Sequence, residues 1–578
     1  MSEARGAIPI KKYLLLLIFC ATPFFVNLGA NALLDKNEPW YAEPSREMVE
    51  SGNYLIPTIS GFPRFRKPPL TNWIILGSYL LFGVNELATR LPGAIAAALT
   101  ILLTYLIGSR LLNRRAGFMA ALILASLPRF FLFARFLHMD TFFTLFITAA
   151  IYFFLRAREI EKARYTLLAY AMIALAVLTK GPIGTLIPLA VLALTAWGIK
   201  DRGLARLLIS PSGIGILILL TLPWYLFMYA KFGGEFLHIH FVQQHLQRFF
   251  TPHLGGKTFT YYFIGEALVN LLPWSLFMFP AAVFVLSSHR ERSKASSNQR
   301  LALLPLFWVG FVLFFFSLST GKREAYLMPL YPAVALTLGD YFTAAPYLER
   351  RAYRLAHQAL SLILVFALLG LGLVARQMSF ALEHPLTAAN LALGVCLLLA
   401  GALAWTLWTN RLDRTGLMVA GTTATIVWTM VLALPYVEPY RDVKALALQV
   451  RRQAGPSDQV GTYQTYEPSF QYYVARRPFH ACSPQEMEKI LHGRRRVFLL
   501  ASAEAFETLR LQSDIPLKIL ARGTILSFWV AKWFRGNDSP LRHIILAVSR
   551  PPDSTIWQPD PSRPYLSCRA RARGQDHP

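Results

Sequence analysis

The chain has 578 residues, of which 54% are hydrophobic and only 16% charged, with a mean hydropathy of +0.40. That is too apolar for one ordinary soluble fold of this length and points to an integral membrane protein. The formal net charge of +26 invites a nucleic-acid partner. However, the Lys and Arg residues gather in alternate short loops, so the charge mostly reflects topology, with a remainder available for an anionic substrate.

Apolar runs long enough to cross a hydrocarbon core of about 30 Å recur from Tyr13 to Pro435 and predict about thirteen spanning helices. Their approximate limits are 13–32, 91–112, 116–134, 141–156, 165–179, 183–199, 207–229, 267–287, 301–318, 325–342, 356–375, 388–408 and 416–435. No alternating strands that would close a barrel occur in this region, and lipid leaves helices as the way to satisfy the backbone. The first run lacks a small-residue cleavage site and reads as a retained helix. Basic sets at 5–12, 110–115, 156–164, 200–206, 290–300, 350–354 and 411–414 place the amino terminus in the cytoplasm. An odd number of helices then places everything after Pro435 outside.

The expected fold class is an all-α polytopic membrane protein with a small periplasmic α/β domain. Three regions follow: a membrane domain over 1–435, an α/β domain over 440–535, and a disordered tail over 536–578. In the second, "RDVKALALQVRRQ" has helical apolar spacing, while "RVFLLAS" and "ILSFWVAKW" read as buried strands. Of the four cysteines, Cys20 and Cys396 fall in apolar runs. A bridge between Cys482 and Cys568 is not expected, because the tail around Cys568 is rich in Pro, Ser and Arg.

Two outer loops, 34–90 and 230–266, are longer than the rest, and function is expected there. In the first, 39–51 starts with Pro and reads as a polar helix. Residues 69–87 read as an apolar one, and both are expected to lie in the interface. The alternative, that 69–87 spans the bilayer, would invert the alternation of basic loops from there onward.

Five groups carry candidate chemistry. Asp35, Asn37, Glu38, Tyr41 and Glu43 share the first loop with Arg64, Arg66 and Lys67. These three cations within four residues, ending on Pro68-Pro69, suit a phosphate clamp; the bland reading is a solvated loop. Asp140 in "RFLHMDTFFTLF" is either an N-cap or, beside Arg135 and His138, a member of the same pocket. Lys180 in "LTKGPIG" either snorkels or meets a lipid phosphate. His238, His240, His245 and His253 match no standard zinc spacing, so a divalent metal is not favoured. Arg248, flanked by aromatics, suits a phosphate or a sugar ring. In "STGKREAYLMPLYPA", an Arg323–Glu324 ion pair is the bland reading, and Lys322 as a leaving-phosphate ligand is the sharp one, with Tyr326 close by in sequence.

Taken in order, "NEPWYAEPSREMVESGNYLIPTISGFPRFRKPPL", "HMDTFFTLF", "LTKGPIG", "LPWYLF", "QHLQRFF", "LLPWSL" and "GKREAYLMPLYPAVAL" resemble the polyprenyl-phosphate-dependent glycosyltransferases of the GT-C membrane class. The resemblance is nearest to the bacterial transferases that move 4-amino-4-deoxy-L-arabinose onto lipid A, with the protein O-mannosyltransferases more distant. It implies a polyprenyl-phosphate sugar donor entering from membrane lipid and a periplasmic acceptor such as lipid A, another envelope glycan or a protein. It further implies inversion at the anomeric carbon in the cell inner membrane, without a nucleotide cofactor. Lys67 falls on the family's lysine and Asp140 on its second acid. The family usually has Asp-Glu where this chain has Asn37-Glu38, and often an acid where it has Arg66. An amide is no general base, so a hydroxyl acceptor would give its proton to Asp140, Glu38 or Asp35, whereas a phosphate acceptor needs none. A lipid-linked-sugar transporter and a catalytically inactive relative are the rival readings. Against the transporter, the polar residues sit in outer loops and not at the bilayer midplane.

Overall fold

The computed structural model describes residues 10–34, 37–251, 261–292, 300–344, 351–381, 386–409, 414–438, 441–465, 467–493, 495–526 and 541–549. Asp35, His253, Cys568 and the expected tail from residue 550 lie outside them. The chain divides into two compact units, one comprising Met1–Val26, Phe65–Leu70 and Gly93–Val431, the other Asn27–Arg64, Thr71–Pro92 and Leu432–Pro578.

The first unit is helical. Among the described residues of the chain, seven helices are long and apolar enough to cross a membrane, and nine if two sharply bent pairs each count as one span. The bends follow the sequence. Leu127 adopts an extended conformation before Pro128 and ends Arg114–Ser126, as the clash with a following proline ring demands. The next helix, Pro128–Arg135, leaves at 63°.

Several expected spans are shorter than the hydropathy pattern suggests. Ile183–Gly198 has 16 residues, whereas Leu386–Trp408 runs for 23 and matches the expected 388–408. The expected 325–342 span divides into a 3-10 turn, Glu324–Leu330, and a 14-residue helix, Tyr331–Ala344. Pro329 and Pro332 remove two backbone donors there, so one continuous α-helix is disfavoured. Leu70–Phe82 has 13 residues, a length of about 20 Å, too short to cross a hydrocarbon core. Multi-pass membrane architecture follows from the helices; the full number of expected spans does not.

The second unit joins the first outer loop to the carboxy-terminal domain. Pro39–Ser51 forms the expected helix, with Pro at its first turn and Gly52 closing it at φ 69°, a conformation that favours glycine. β1 (Thr58–Ile59) and β2 (Phe62–Pro63) make a short hairpin. Glu47 holds it by accepting from Ser60 N at 2.6 Å and Gly61 N at 3.1 Å.

The carboxy-terminal sheet contains β3 (Gln459–Tyr463), β4 (Phe479–Ala481), β5 (Val497–Ser502), β6 (Leu517–Leu526) and β7 (Leu541–Ser549), in the order β4-β3-β5-β7-β6. β3 runs parallel to β4 and β5, and β7 antiparallel to β5 and β6. Tyr463, Leu499, Ala547, Met487 and Phe506 bury one face in a continuous core.

Two expectations are corrected here. The domain does not end at 535, because Leu541–Ser549 is an interior strand rather than part of the tail. Cys482 is disulfide-bonded, against the expectation of no bridge, and its partner lies outside the described residues. Cys20 and Cys396 are buried free thiols.

Inside this unit, the first loop packs on the α/β domain. Tyr473 Oη accepts from Leu33 N at 2.8 Å and donates to Glu86 at 2.9 Å, and Lys444 also pairs with Glu86 at 2.5 Å. Gln471 donates to Glu43 at 3.2 Å and to Ser60 at 2.8 Å. Nothing in linear spacing pointed to this union of segments.

Candidate functional site

The helical unit contains a cluster of charge built from five separate stretches. Asp140 is the second residue of Met139–Ile160. The expectation that its own carboxylate caps that helix does not hold: His138 is the N-cap residue, and its Nδ1 accepts from Asp140 N at 3.3 Å. The Asp140 carboxylate is therefore free of the cap. One oxygen accepts from the Lys180 ammonium, and the other lies 3.1 Å from His138 Nδ1.

Lys180 ends the helix Ala163–Lys180 and is only 5% exposed. Its ammonium does not snorkel to water but rests against the rings of Phe143, at 5.0 Å, and Tyr326, at 4.6 Å. A buried ammonium in an aromatic setting needs a countercharge, and Asp140 supplies it.

Lys67 lies on the short Phe65–Leu70 stretch that belongs to this unit. Its ammonium makes no hydrogen bond or ion pair among the described residues. Burial pushes its pKa well below the ordinary lysine range, and the like charges of Arg248, Lys180 and Arg323 push the same way, while Asp140 partly opposes them. Three cations and one carboxylate thus act on Lys67, an arrangement that suits an anionic ligand.

Of the remaining candidates, Lys322 takes another role. Its ammonium donates to the Ser317 carbonyl at 3.1 Å and lies 5.4 Å from the Phe263 ring centre, and burial lowers its pKa. The cation this turn adds to the cluster is Arg323. Glu324 pairs with Arg129, while Tyr326 packs on Phe316 at 4.9 Å and presents its ring to Lys180. Arg66 is half-buried beside Lys67.

The other first-loop candidates belong to the second unit. Asn37 is exposed. Glu38 is fully buried, holding Arg90 by two contacts of 2.8 and 2.7 Å and accepting from Leu34 N at 2.7 Å. That makes it an anchor for the loop rather than an available base. Arg64 donates to the Trp40 carbonyl and stacks over Trp40 and Tyr41, at 5.9 and 4.8 Å.

His240 and His245, which sequence spacing tested only as metal ligands, bind backbone. His240 Nδ1 donates to the Phe65 carbonyl at 2.7 Å, and His245 Nδ1 to the His240 carbonyl at 2.6 Å. Their signal was local: two polar rings in an aromatic run that becomes a π-helix, a rare form enriched at functional sites. Among the described residues, no group of three or more His, Cys, Asp or Glu side chains has a metal-holding arrangement.

Residues 66–227 match the family model described as dolichyl-phosphate-mannose-protein mannosyltransferase. An uncharacterized protein of Aquifex aeolicus (strain VF5) is 30% identical over 79% of this chain and 85% of its own length. The undecaprenyl phosphate-alpha-4-amino-4-deoxy-L-arabinose arabinosyl transferase of Yersinia enterocolitica is also 30% identical, over 61% of this chain. The chain spans 63% of that relative's length. In fold, the chain is similar to the crystal structure of ArnT from Cupriavidus metallidurans bound to undecaprenyl phosphate, with a TM-score of 0.73 and 20% identity. That likeness covers 93% of this chain and 98% of the other.

Proposed function

Because the chain belongs to the GT-C class of polyprenyl-phosphate-dependent membrane glycosyltransferases, we propose that its helical unit holds the phosphate of a polyprenyl-phosphate sugar on Lys67, Lys180, Arg248 and Arg323. The observation that carries this reading is the Lys67 ammonium, which has no hydrogen-bond or ion-pair partner among the described residues and lies in the field of three like charges. A donor of this kind is a phosphodiester with one negative charge, and it leaves as a monoester with two. Fixed cations therefore hold the departing group more tightly than the bound donor, which is the differential binding that accelerates a reaction. The relative of known name acts on an undecaprenyl-phosphate aminoarabinose, and a five- or six-carbon sugar on such a lipid is the donor class proposed here.

The acceptor attacks the anomeric carbon opposite the leaving phosphate, so configuration inverts. Lipid A fits as acceptor because its phosphate is already anionic. Asp140 is paired with Lys180, and Glu38 with Arg90, so a reaction that needs no general base agrees with the carboxylates present. With a hydroxyl acceptor, Asp140 is the proton acceptor. The setting is the cell inner membrane, with the amino terminus cytoplasmic. The disulfide at Cys482 supports a periplasmic carboxy-terminal domain, since such bonds persist in oxidising compartments.

The test is sugar transfer from undecaprenyl-phosphate sugars in proteoliposomes. Lys67→Ala is expected to lower turnover roughly 100-fold or more, the scale of losing one transition-state charge contact. Unchanged turnover in that variant would sink the assignment.

A further inference from the structure

The stretch His238–Gln247, continued by Arg248–Phe250, touches each other segment that brings a cation to the cluster. At its start, His240 Nδ1 donates to the Phe65 carbonyl, two residues before Lys67, at 2.7 Å. In its middle, the His245 ring fills the hollow of Gly181, directly after Lys180. Gly181 has φ 88°, and a Cβ built there would stand 2.3 Å from His245 Nε2. At its end, the Phe249 carbonyl accepts from Thr320 N at 2.9 Å and the Arg248 carbonyl from Gly321 N at 3.2 Å, just ahead of Arg323. A Cβ on Gly321 would lie 2.7 Å from that Arg248 oxygen.

His240 is the informative member. It is fully buried among Trp224, Tyr225, Phe236 and Phe241, with ring centres 4.9 to 6.3 Å away. Its Nε2 has no hydrogen-bond partner among the described residues. A buried polar atom left unpaired destabilises the fold, and a phenylalanine would fill such an aromatic shell without that cost. The side-chain hydrogen bond His240 makes is the one to Phe65.

We infer that His240 and His245 are positioning residues. Through backbone contacts they set the spacing between Lys67, Lys180 and Arg248, so that the cations are kept together on one phosphate instead of relaxing away from one another. Like charges this close repel, and without a strap the Phe65–Leu70 stretch would move outward. The inference rests on the donor-phosphate reading of the cluster.

The experiment measures equilibrium binding of undecaprenyl monophosphate to the purified full chain in nanodiscs, alongside donor KM, kcat and thermal stability. His240→Phe keeps the ring volume and drops the bond. It is expected to weaken binding about tenfold, the order of one buried hydrogen bond lost, and to raise donor KM. His240→Asn, whose amide places a donor near the position of Nδ1, is expected to recover most of that loss. His245→Phe, which keeps volume against Gly181 but drops the bond to the His240 carbonyl, gives an independent second measurement if His240→Phe does not fold. Wild-type binding in a folded phenylalanine variant, or an asparagine variant as weak as His240→Phe, overturns the inference. Lys67→Ala is the reference: if it too binds like wild type, the phosphate reading fails, and this inference with it.

Discussion

Lys67 is charged below its folded pKa and neutral above it, and that pKa is lowered by burial and by three neighbouring cations. Donor kcat/KM is therefore expected to be high on the acid side and to fall as pH rises through a value below the ordinary lysine range. Lys67→Arg is expected to remove that descending limb, because a guanidinium stays protonated throughout; a pH-rate profile of the two proteins checks it. Asp140→Asn leaves Lys180 buried without its countercharge, and breaking such a pair costs about 3 to 5 kcal/mol. Thermal denaturation should show the loss, and adding Lys180→Met should recover part of it. Glu38→Gln should lower the melting temperature in the same manner, since Arg90 is 2% exposed and pairs with the Glu38 carboxylate at 2.7 Å.

Elements explain why some of these residues were legible and others were not. Asp140, Lys180 and Lys67 stand where polar residues interrupt apolar sequence, so pattern alone picks them out. Of Lys322 and Arg323, the first is buried and the second exposed, yet it is Arg323 whose charge reaches Lys67; pattern does not decide between two neighbouring cations. His240 and His245 escaped because their ligands are backbone carbonyls, which have no sequence signature. The boundary at 535 failed for a related reason. Leu541–Ser549 pairs with both β5 and β6, and pairing between distant strands is not written in local spacing. A chain stopped after residue 535 loses that interior strand and should express poorly, whereas one stopped after 549 keeps the described sheet; yield and monodispersity of the two purified proteins distinguish them.

At the scale of the whole molecule, the membrane reading came through, and among the described residues the α/β domain and the number of full-length spans did so in part. Hydropathy counts apolar residues, but prolines at 128, 329 and 332 divide runs that look continuous. Orientation is checked by cysteine labelling of intact spheroplasts. A reporter replacing exposed Leu511 should react with an impermeant maleimide from outside, and one at Arg164 only after permeabilisation.

Composition and periodicity by themselves determined that this chain lives in a membrane, where its loops are rich in chemistry, and which lysine and aspartate stand out. Burial of apolar surface is a sum over residues, so those conclusions survive without coordinates. Only the tertiary structure decided that the first loop joins the carboxy-terminal domain, that Glu38 is spent on Arg90, and that cations of three distant stretches act on Lys67. Each of these depends on through-space contact between residues far apart in the chain, and charge acts across distance in space, not along sequence.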